Sequence, residues 1–549
     1  MKALAAALVL LAAGAHADPD LVLTGGAVYT LDPAHPWASA LVVRDKHIAY
    51  VGNDSGARAF AHKDARMIVL HGQMVLPGFH DAHVHPMSAG LRLLQCRLGE
   101  AKTEADIAAA IRACNAKDRQ AAWLQGAGWT PQAFGPAGPT RALLDAAAPD
   151  RPAFFRTPDG FTAWVNSKAL ALAGIDAKGP DNHGIARDPQ SHEPTGVLRD
   201  DAIALVRQHI PKPTEAEHRA ALKNTTAISN SFGVTSVFDA SASAPMIDAY
   251  RAADQAHELT VRVVIAQLVD PARGPAQVDD FIARRDRIAS PRVRADAAKF
   301  FLDGEIDRHT AAMLAPYADA PATSGPDIPA DVLNPIVRRL DAEGFLIHMH
   351  VMGDRAVRTG LDALEDAARA NGPRDRRPQL AHVGVADPAD IPRFAKLGVA
   401  ANFQPVWFRS DDPDMAPTKA ALGPARSRWI MPIAAIASHG GRIVAGSDWP
   451  ATSLNPLDGI EAAVTRDGPE RVGLAQILAA YTRDAAWVVR EDKIDGTIEV
   501  GQAADLVVLD RNLFKIKPSD IHNARVVLTL LDGGPVYRDA KFLKSMSSR

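Results

Sequence analysis

An α/β fold is expected: a (β/α)8 TIM barrel with an insertion after its first strand, joined to a small β-sandwich built from both termini. Three observations predict it. Short apolar runs alternate with helical patterns through the middle of the chain. Both ends are rich in short β-type segments. One long stretch after the first middle strand breaks the alternation.

The chain has 549 residues, 47% of them hydrophobic, enough for a large core and more than one structural unit. Formal net charge is −3 with both signs scattered, so nothing points to nucleic acid or an acidic membrane surface as partner. Gly and Pro, 39 each, suit a loop-rich globular protein rather than a low-complexity chain.

Residues 1–17 read as a secretory signal peptide: Met1-Lys2, an apolar run from Ala3 to Ala13, then Ala15-His16-Ala17 as a small-residue cleavage site. The run is short for a membrane span, and no later run reaches about 18 uncharged apolar residues. The mature product is expected to be exported, periplasmic or secreted. No cysteine near residue 18 offers a lipid anchor. Cys96 and Cys114 are the sole cysteines; their spacing permits a disulfide in an oxidising compartment and does not require one.

Residues 18–75 carry β-type runs at Leu21–Thr24, Ala27–Tyr29, Ala40–Val43 and Ile48–Val51, read as a small antiparallel sheet. Residues 490–549 answer with Gly496–Val500, Leu506–Leu509, Val526–Thr529 and Pro535–Tyr537. The two ends together predict one composite β-domain. Between them, residues 76–489 offer eight strand candidates: Leu76–His85, Gly233–Phe238, Val261–Ile265, Ala298–Leu302, Phe345–His350, Gln379–His382, Val399–Phe403 and Ile443–Gly446. Helical stretches lie between several of them; Thr214 to Glu217 is a capping box opening a helix that stops near Gly233. Eight such units close into a barrel. Residues 87–213 are too long for one crossover and read as an insertion over the barrel mouth.

The segment Leu76–Pro86, LPGFHDAHVHP, concentrates the chemistry. His83 and His85 are two apart, and on a strand such side chains share a face, where they can grip one metal ion. Alone, the pair is equally readable as a chance surface feature. More polar residues sit at strand ends inside apolar runs: Lys299, His348, His350, His382 and Asp448. Barrel sites lie at the C-terminal strand ends. Buried polar groups there need a partner, and a divalent cation, zinc by the imidazole and carboxylate donors, is the simplest. Lys299 lies among apolar neighbours; a buried lysine loses its charge readily, and its neutral amine can take up carbon dioxide as a carbamate that bridges two ions. One ion or two are both open. His80 and Asp81 are expected to orient His83 and His85 from behind. His183, His192, His218 and His309 read first as surface or loop residues, and Phe403-Gln404-Pro405 as pocket lining.

The chain resembles the amidohydrolase superfamily, in particular the amidohydrolase-3 group of YtcJ-like and N-substituted formamide deformylase-like proteins. The motifs are LPGFHDAHVH (76–85), WVNSKAL (164–170), EPTGVLRD (193–200), GVTSVFDA (233–240), KFFLDG (299–304), HMHVMGDRAV (348–357), AHVGVADPADIPRFAKLGV (381–399), GSDWP (446–450) and GQAADLVVLD (501–510). The resemblance implies a metal-dependent hydrolase of non-peptide C–N bonds (amide, N-acyl or N-formyl, cyclic amide) in a small molecule. It matches His83 and His85 to first-strand metal ligands, Lys299 to the fourth-strand lysine, His350 and His382 to the fifth- and sixth-strand histidines. Asp448 matches the aspartate that takes a proton from the attacking water. His348 is expected in the pocket instead. Departures fall at Phe161, where many relatives have histidine, and at Glu305, Asp307 and His309; these are expected pocket positions, and Trp129, which like the insertion's other tryptophans reads first as core, is a further candidate, so substrate preference does not transfer from any one relative. Two other readings stand beside this one: an exported binder of a small molecule or metal that kept the fold without the chemistry, and a non-hydrolytic barrel enzyme such as a decarboxylase or isomerase. A homo-oligomer is compatible with all three.

Overall fold

The computed structural model describes residues 19–540 apart from 100, 118–120, 136–137, 158–159, 289, 322–323 and 409–414. The expected signal peptide lies outside the described residues. Among the described residues no helix is long and apolar enough to cross a membrane.

Eight parallel strands run side by side in chain order: β1 (Phe79–Val84), β2 (Val234–Ala242), β3 (Arg262–Leu268), β4 (Val293–Phe301), β5 (Leu346–Val351), β6 (Gln379–His382), β7 (Ala400–Phe403) and β8 (Ile443–Ala445). All eight coincide with apolar runs of the sequence, because a strand covered on both faces must be apolar along its length. The seam between β8 and β1 is closed by backbone: Asp448 N–H donates to His83 O at 2.7 Å and His85 N–H to Trp449 O at 3.0 Å. Inside, mostly small side chains fill the barrel, among them Ala82, Val264, Ala297, Leu346, Ala400 and Val444. Ala485 and Val488, from the helix Arg483–Val488, pack into the same cluster. The larger core lies outside the strands, under the crossover helices. One of these, Glu215–Ser231, starts at the capping box read from the sequence, with Thr214 and Glu217 exchanging hydrogen bonds.

Both termini build the second unit, but its sheets are mixed rather than antiparallel. Leu21–Thr24 runs antiparallel to Ala40–Arg44 and parallel to Arg66–Val69. In the other sheet Met74–Pro77 lies between Ala27–Tyr29 and Leu506–Leu509, parallel to the first and antiparallel to the second. Leu76 to His85, one strand by its sequence pattern, is divided between two strands. The chain changes sheets at Gly78, where a Cβ would stand 2.1 Å from the Thr235 hydroxyl on β2. Nor is Gly496–Val500 a strand; it is turn and irregular chain leading to Leu506.

The insertion folds around a six-stranded sheet running in the order Ile185–Arg187, Pro194–Arg199, Thr162–Val165, Ala153–Arg156, Leu124–Ala127 and Cys96–Arg97. Cys96 and Cys114 are joined by a disulfide. The expectation that Trp129 faces the pocket is corrected: it is buried in the insertion's own core, donates its indole N–H to Phe155 O at 3.0 Å, and packs edge-on against Phe134 and Trp164. His218, expected at the surface, is buried on its helix.

The close approach at Gly78 gives a direct test. Gly78→Val forces β1 and β2 apart and is expected to cost about 1–3 kcal/mol, as overpacking does. Chemical denaturation should show a lower midpoint than the parent, and an unchanged midpoint would deny the contact.

Candidate active site

The expected residues from five strands converge at one end of the barrel. Asp448 follows β8, and its Oδ1 lies 3.4 Å from His83 Nε2 and 3.1 Å from His85 Nε2. Donor atoms of His83, His382 and Asp448 all lie within 4.8 Å of one another, and all three residues are buried. The rings of His83 and His350 each lie 4.7 Å from that of His382. His85 is not on the strand, as the two-apart argument supposed. It is the residue before the helix Pro86–Leu94, and it reaches the same carboxylate from there.

Other side chains hold these donors in place. His348, expected in the pocket, lies behind His83, with Nε2 3.0 Å from His83 Nδ1. The Nδ1 of His382 is 2.7 Å from Gln404 Oε1; Gln404 in turn donates to Asn402, and Asn402 donates to Ala82 O at 2.8 Å. Trp407 stacks flat on the His382 ring at 4.9 Å. Asp303 Oδ1 lies 3.3 Å from His350 Nδ1 and accepts the Met352 N–H. Asp81 Oδ1 accepts the backbone N–H of His83 and of Ser447, tying β1 to the loop that carries Asp448. Beside His85 lies buried Asp239, which accepts the Tyr250 hydroxyl at 2.8 Å. His80 does not join this set; its ring lies beside Glu491 and Asp495.

The electrostatics favour a cation. Burial, reinforced by the nearby positive groups, pushes the pKa of His83, His348 and His382 well below the ordinary histidine value, so these rings are neutral and their lone pairs free. Burial lowers Lys299 to about 7. Its Nζ lies 4.6 Å from the Phe301 ring centre. Burial opposes ionisation of Asp448, but the hydrogen bond from His85 and the electrostatic influence of the neighbouring histidines and Lys299 outweigh it, and its pKa lies below the usual carboxylate value. His350 moves the other way, to about 8, because Asp303 and Glu305 outweigh its burial. Among the described residues, buried Nδ1 of His350 makes no well-aligned hydrogen bond, its Asp303 contact standing at 3.3 Å. Neutral imidazoles, an ionised carboxylate and a lysine of low basicity form a donor set that fits a divalent ion.

Two adjoining cavities open at this end and share Glu305. One, of about 450 Å³, is lined by Met352, Gly384, Trp407, Met415 and Ser453. The other, of about 520 Å³, is lined by Phe161, Phe301, Asp303, Arg308 and His350. Phe161 and Glu305 thus stand where the pocket was expected, and Arg308 lies over the Phe161 ring at 3.3 Å. Glu305 Oε1 is 3.5 Å from His350 Nε2. His309 does not line either cavity; it is partly exposed and paired with Asp319 at 2.8 Å. Asp239, Asp303, Asn402 and Trp407 were not singled out from the sequence. Asn402 and Gln404 carry one usable signal, polar side chains two apart in and just after a buried strand.

Fold and site together define a metal-dependent hydrolase built on a (β/α)8 barrel. Residues 66–537 match the model of the amidohydrolase family, and the chain belongs to that family. It is similar to the Protein LONG AFTER FAR-RED 3 of Arabidopsis thaliana, 29% identical over 94% of this chain and 91% of that protein. The N-substituted formamide deformylase of Arthrobacter pascens is 26% identical over 94% of this chain and 97% of its own length. Among solved structures, an uncharacterized metal-dependent hydrolase from Pyrococcus furiosus superposes with a TM-score of 0.77 at 24% identity, covering 91% of this chain and all of that one. That likeness bears on the fold.

Two outcomes follow. Gln404→Leu should weaken metal binding by about 10–100-fold, the usual cost of removing a ligand's hydrogen-bond partner, as read by competition with a chromogenic chelator. Metal uptake by stripped protein should tighten as pH rises from 6 towards 8, because His350 must give up its proton to bind and loses it near pH 8. Uptake independent of pH in that window would remove His350 from the site.

Proposed function

We propose that this protein hydrolyses a non-peptide C–N bond, in an amide, N-acyl, N-formyl or cyclic amide group of a small molecule. The reading rests on one observation: the Asp448 carboxylate shares Oδ1 between His83 and His85 at the mouth of the barrel and is kept ionised there. A binding protein has no need for a base so placed. The relative named as an N-substituted formamide deformylase supports a C–N bond as the target. Cavities of about 450 and 520 Å³ suit a small substrate.

His83, His85, His350, His382, Asp448 and Lys299 would hold one or two divalent ions, zinc by donor type. Such an ion would supply Lewis-acid chemistry, polarising a carbonyl and making water acidic enough to react near neutral pH. Asp448 takes the proton of the attacking water at Oδ1 and returns it to the departing nitrogen. The neutral Lys299 amine can add carbon dioxide, releasing a proton, and so become an anionic ligand. An unionised carboxyl would be a poor base, so the lowered pKa of Asp448 matters directly. Export through the expected signal peptide would place this activity outside the cytoplasm.

Asp448→Asn should keep its metal and lose about 10²–10⁴-fold in turnover, the range for a positioned acid–base group. A panel of N-acyl amino acids, N-formyl amines and cyclic amides or ureas, offered to metal-replete protein, supplies the assay. Hydrolysis of none, with tight binding of one, would favour the binder; near-full turnover by Asp448→Asn would remove Asp448 as the base.

A further inference from the structure

A second cluster of donors lies apart from the active site, at the entry to β1, where the chain has just crossed from the terminal sheets into the barrel. His80 stands there beside Glu491 and Asp495, and all three side chains are 4% exposed or less. The two acids come from one turn, in which Asp495 N–H donates to Glu491 O at 2.9 Å, so both face the start of β1. His80 Nε2 is 3.1 Å from Asp495 Oδ1, and Nδ1 is 4.0 Å from Glu491 Oε2. One donor atom from each residue lies within 4.8 Å of the others.

The hydrogen bonding there is incomplete. Among the described residues, buried His80 Nε2 and both carboxylate oxygens of Asp495 make no well-aligned hydrogen bond, although Nε2 and Oδ1 stand 3.1 Å apart. Such groups are costly to leave so. The neighbours do not repair this. Arg262 lies 3.6 Å from Asp495, but it is engaged by Asp505 at 2.7 Å and by Asp532. Arg294 stands 3.8 Å from Glu491, whose Oε2 accepts the Ser236 hydroxyl at 3.1 Å. Arg292 is committed to Asp532. Four acids, Glu491, Asp495, Asp505 and Asp532, thus meet three guanidiniums, those of Arg262, Arg292 and Arg294, and the His80 imidazole, and Arg294 is also drawn to Asp296 at 3.5 Å. A single N–H on His80 Nε2 serves at most one oxygen of Asp495. Two donors each about 2.0–2.2 Å from one ion stand roughly 3–3.5 Å apart, which brackets the observed His80–Asp495 spacing.

We propose that His80, Asp495 and Glu491 bind a divalent transition-metal ion, zinc by donor type, as a structural staple distinct from the catalytic centre. The ion ties β1 to the turn that leads into the C-terminal strands of the composite domain, and so joins the two units built from opposite ends of the chain. Enclosure of all three ligands makes this a closed site with no room for substrate, and binding there adds to folding stability.

Crystals of the full enzyme, produced with zinc in the medium, give the test without any variant. Difference maps from data collected above and below the zinc edge should show a peak between His80 Nε2 and Asp495, separate from any peak among His83, His382 and Asp448. Maps with no peak at His80 and Asp495 would overturn the proposal, whether or not the centre of His83, His382 and Asp448 is filled. In solution, Asp495→Asn and His80→Gln should each lose one zinc per chain by elemental analysis and melt at lower temperature. A folded variant with undiminished zinc would also overturn it; should neither variant fold, the maps decide.

Discussion

The seam between the last and first barrel strands is the constraint on which the rest depends. Three groups meet across it: the Asp448 N–H on His83 O, the Ser447 N–H on Asp81, and the Asp448 carboxylate between His83 and His85. The seam also demands Gly446, because a Cβ there would lie 2.4 Å from His83 N. Closing the sheet and assembling the site are therefore one event. Residues 363 positions apart come within ion-pair range because the barrel must meet itself.

Burial explains why so polar a cluster is tolerable. Desolvation strips His83, His348 and His382 of any charge and brings Lys299 to about 7, while opposing charges keep Asp448 ionised. His83 and His382 thus stand ready for a cation, whereas His350, raised to about 8, must first release its proton. Its backbone carries strain of the kind found at functional sites: His382 and Asp448 both adopt left-handed conformations, with φ of 73° and 54°. Gln404, Asn402 and Trp407 then restrict the His382 ring, so that β7 and the segment that follows it set one ligand's aim.

Much of this was legible in the sequence, and for a physical reason. A strand covered on both faces excludes polar residues, so Lys299, His350, His382 and Asp448 stood out against apolar neighbours. The β-rich ends announced a shared domain for the same reason. What escaped was local geometry. Nothing in the letters says that Gly78 ends one sheet and begins another, or that β1 stops before His85. The pairing of β1 with β2 slips between Val234 and Ser236, beside His80, and again between Val237 and Asp239, so alternation fails along β1 and gives no guide to His80. Trp129 was misassigned because an aromatic flanked by turn residues reads alike in a lid's core and in a pocket wall. Asp303 and Asp239 were overlooked because their roles are set by long-range contacts to His350 and His85.

The central claim is that His83 and His382, with Asp448, hold a divalent ion. It is tested most directly by elemental analysis of purified, processed protein beside a His83→Ala/His382→Ala double variant. The account predicts at least one equivalent more divalent metal per chain in the parent than in the variant, whatever other ions the two share. Equal metal content in two folded samples would contradict it.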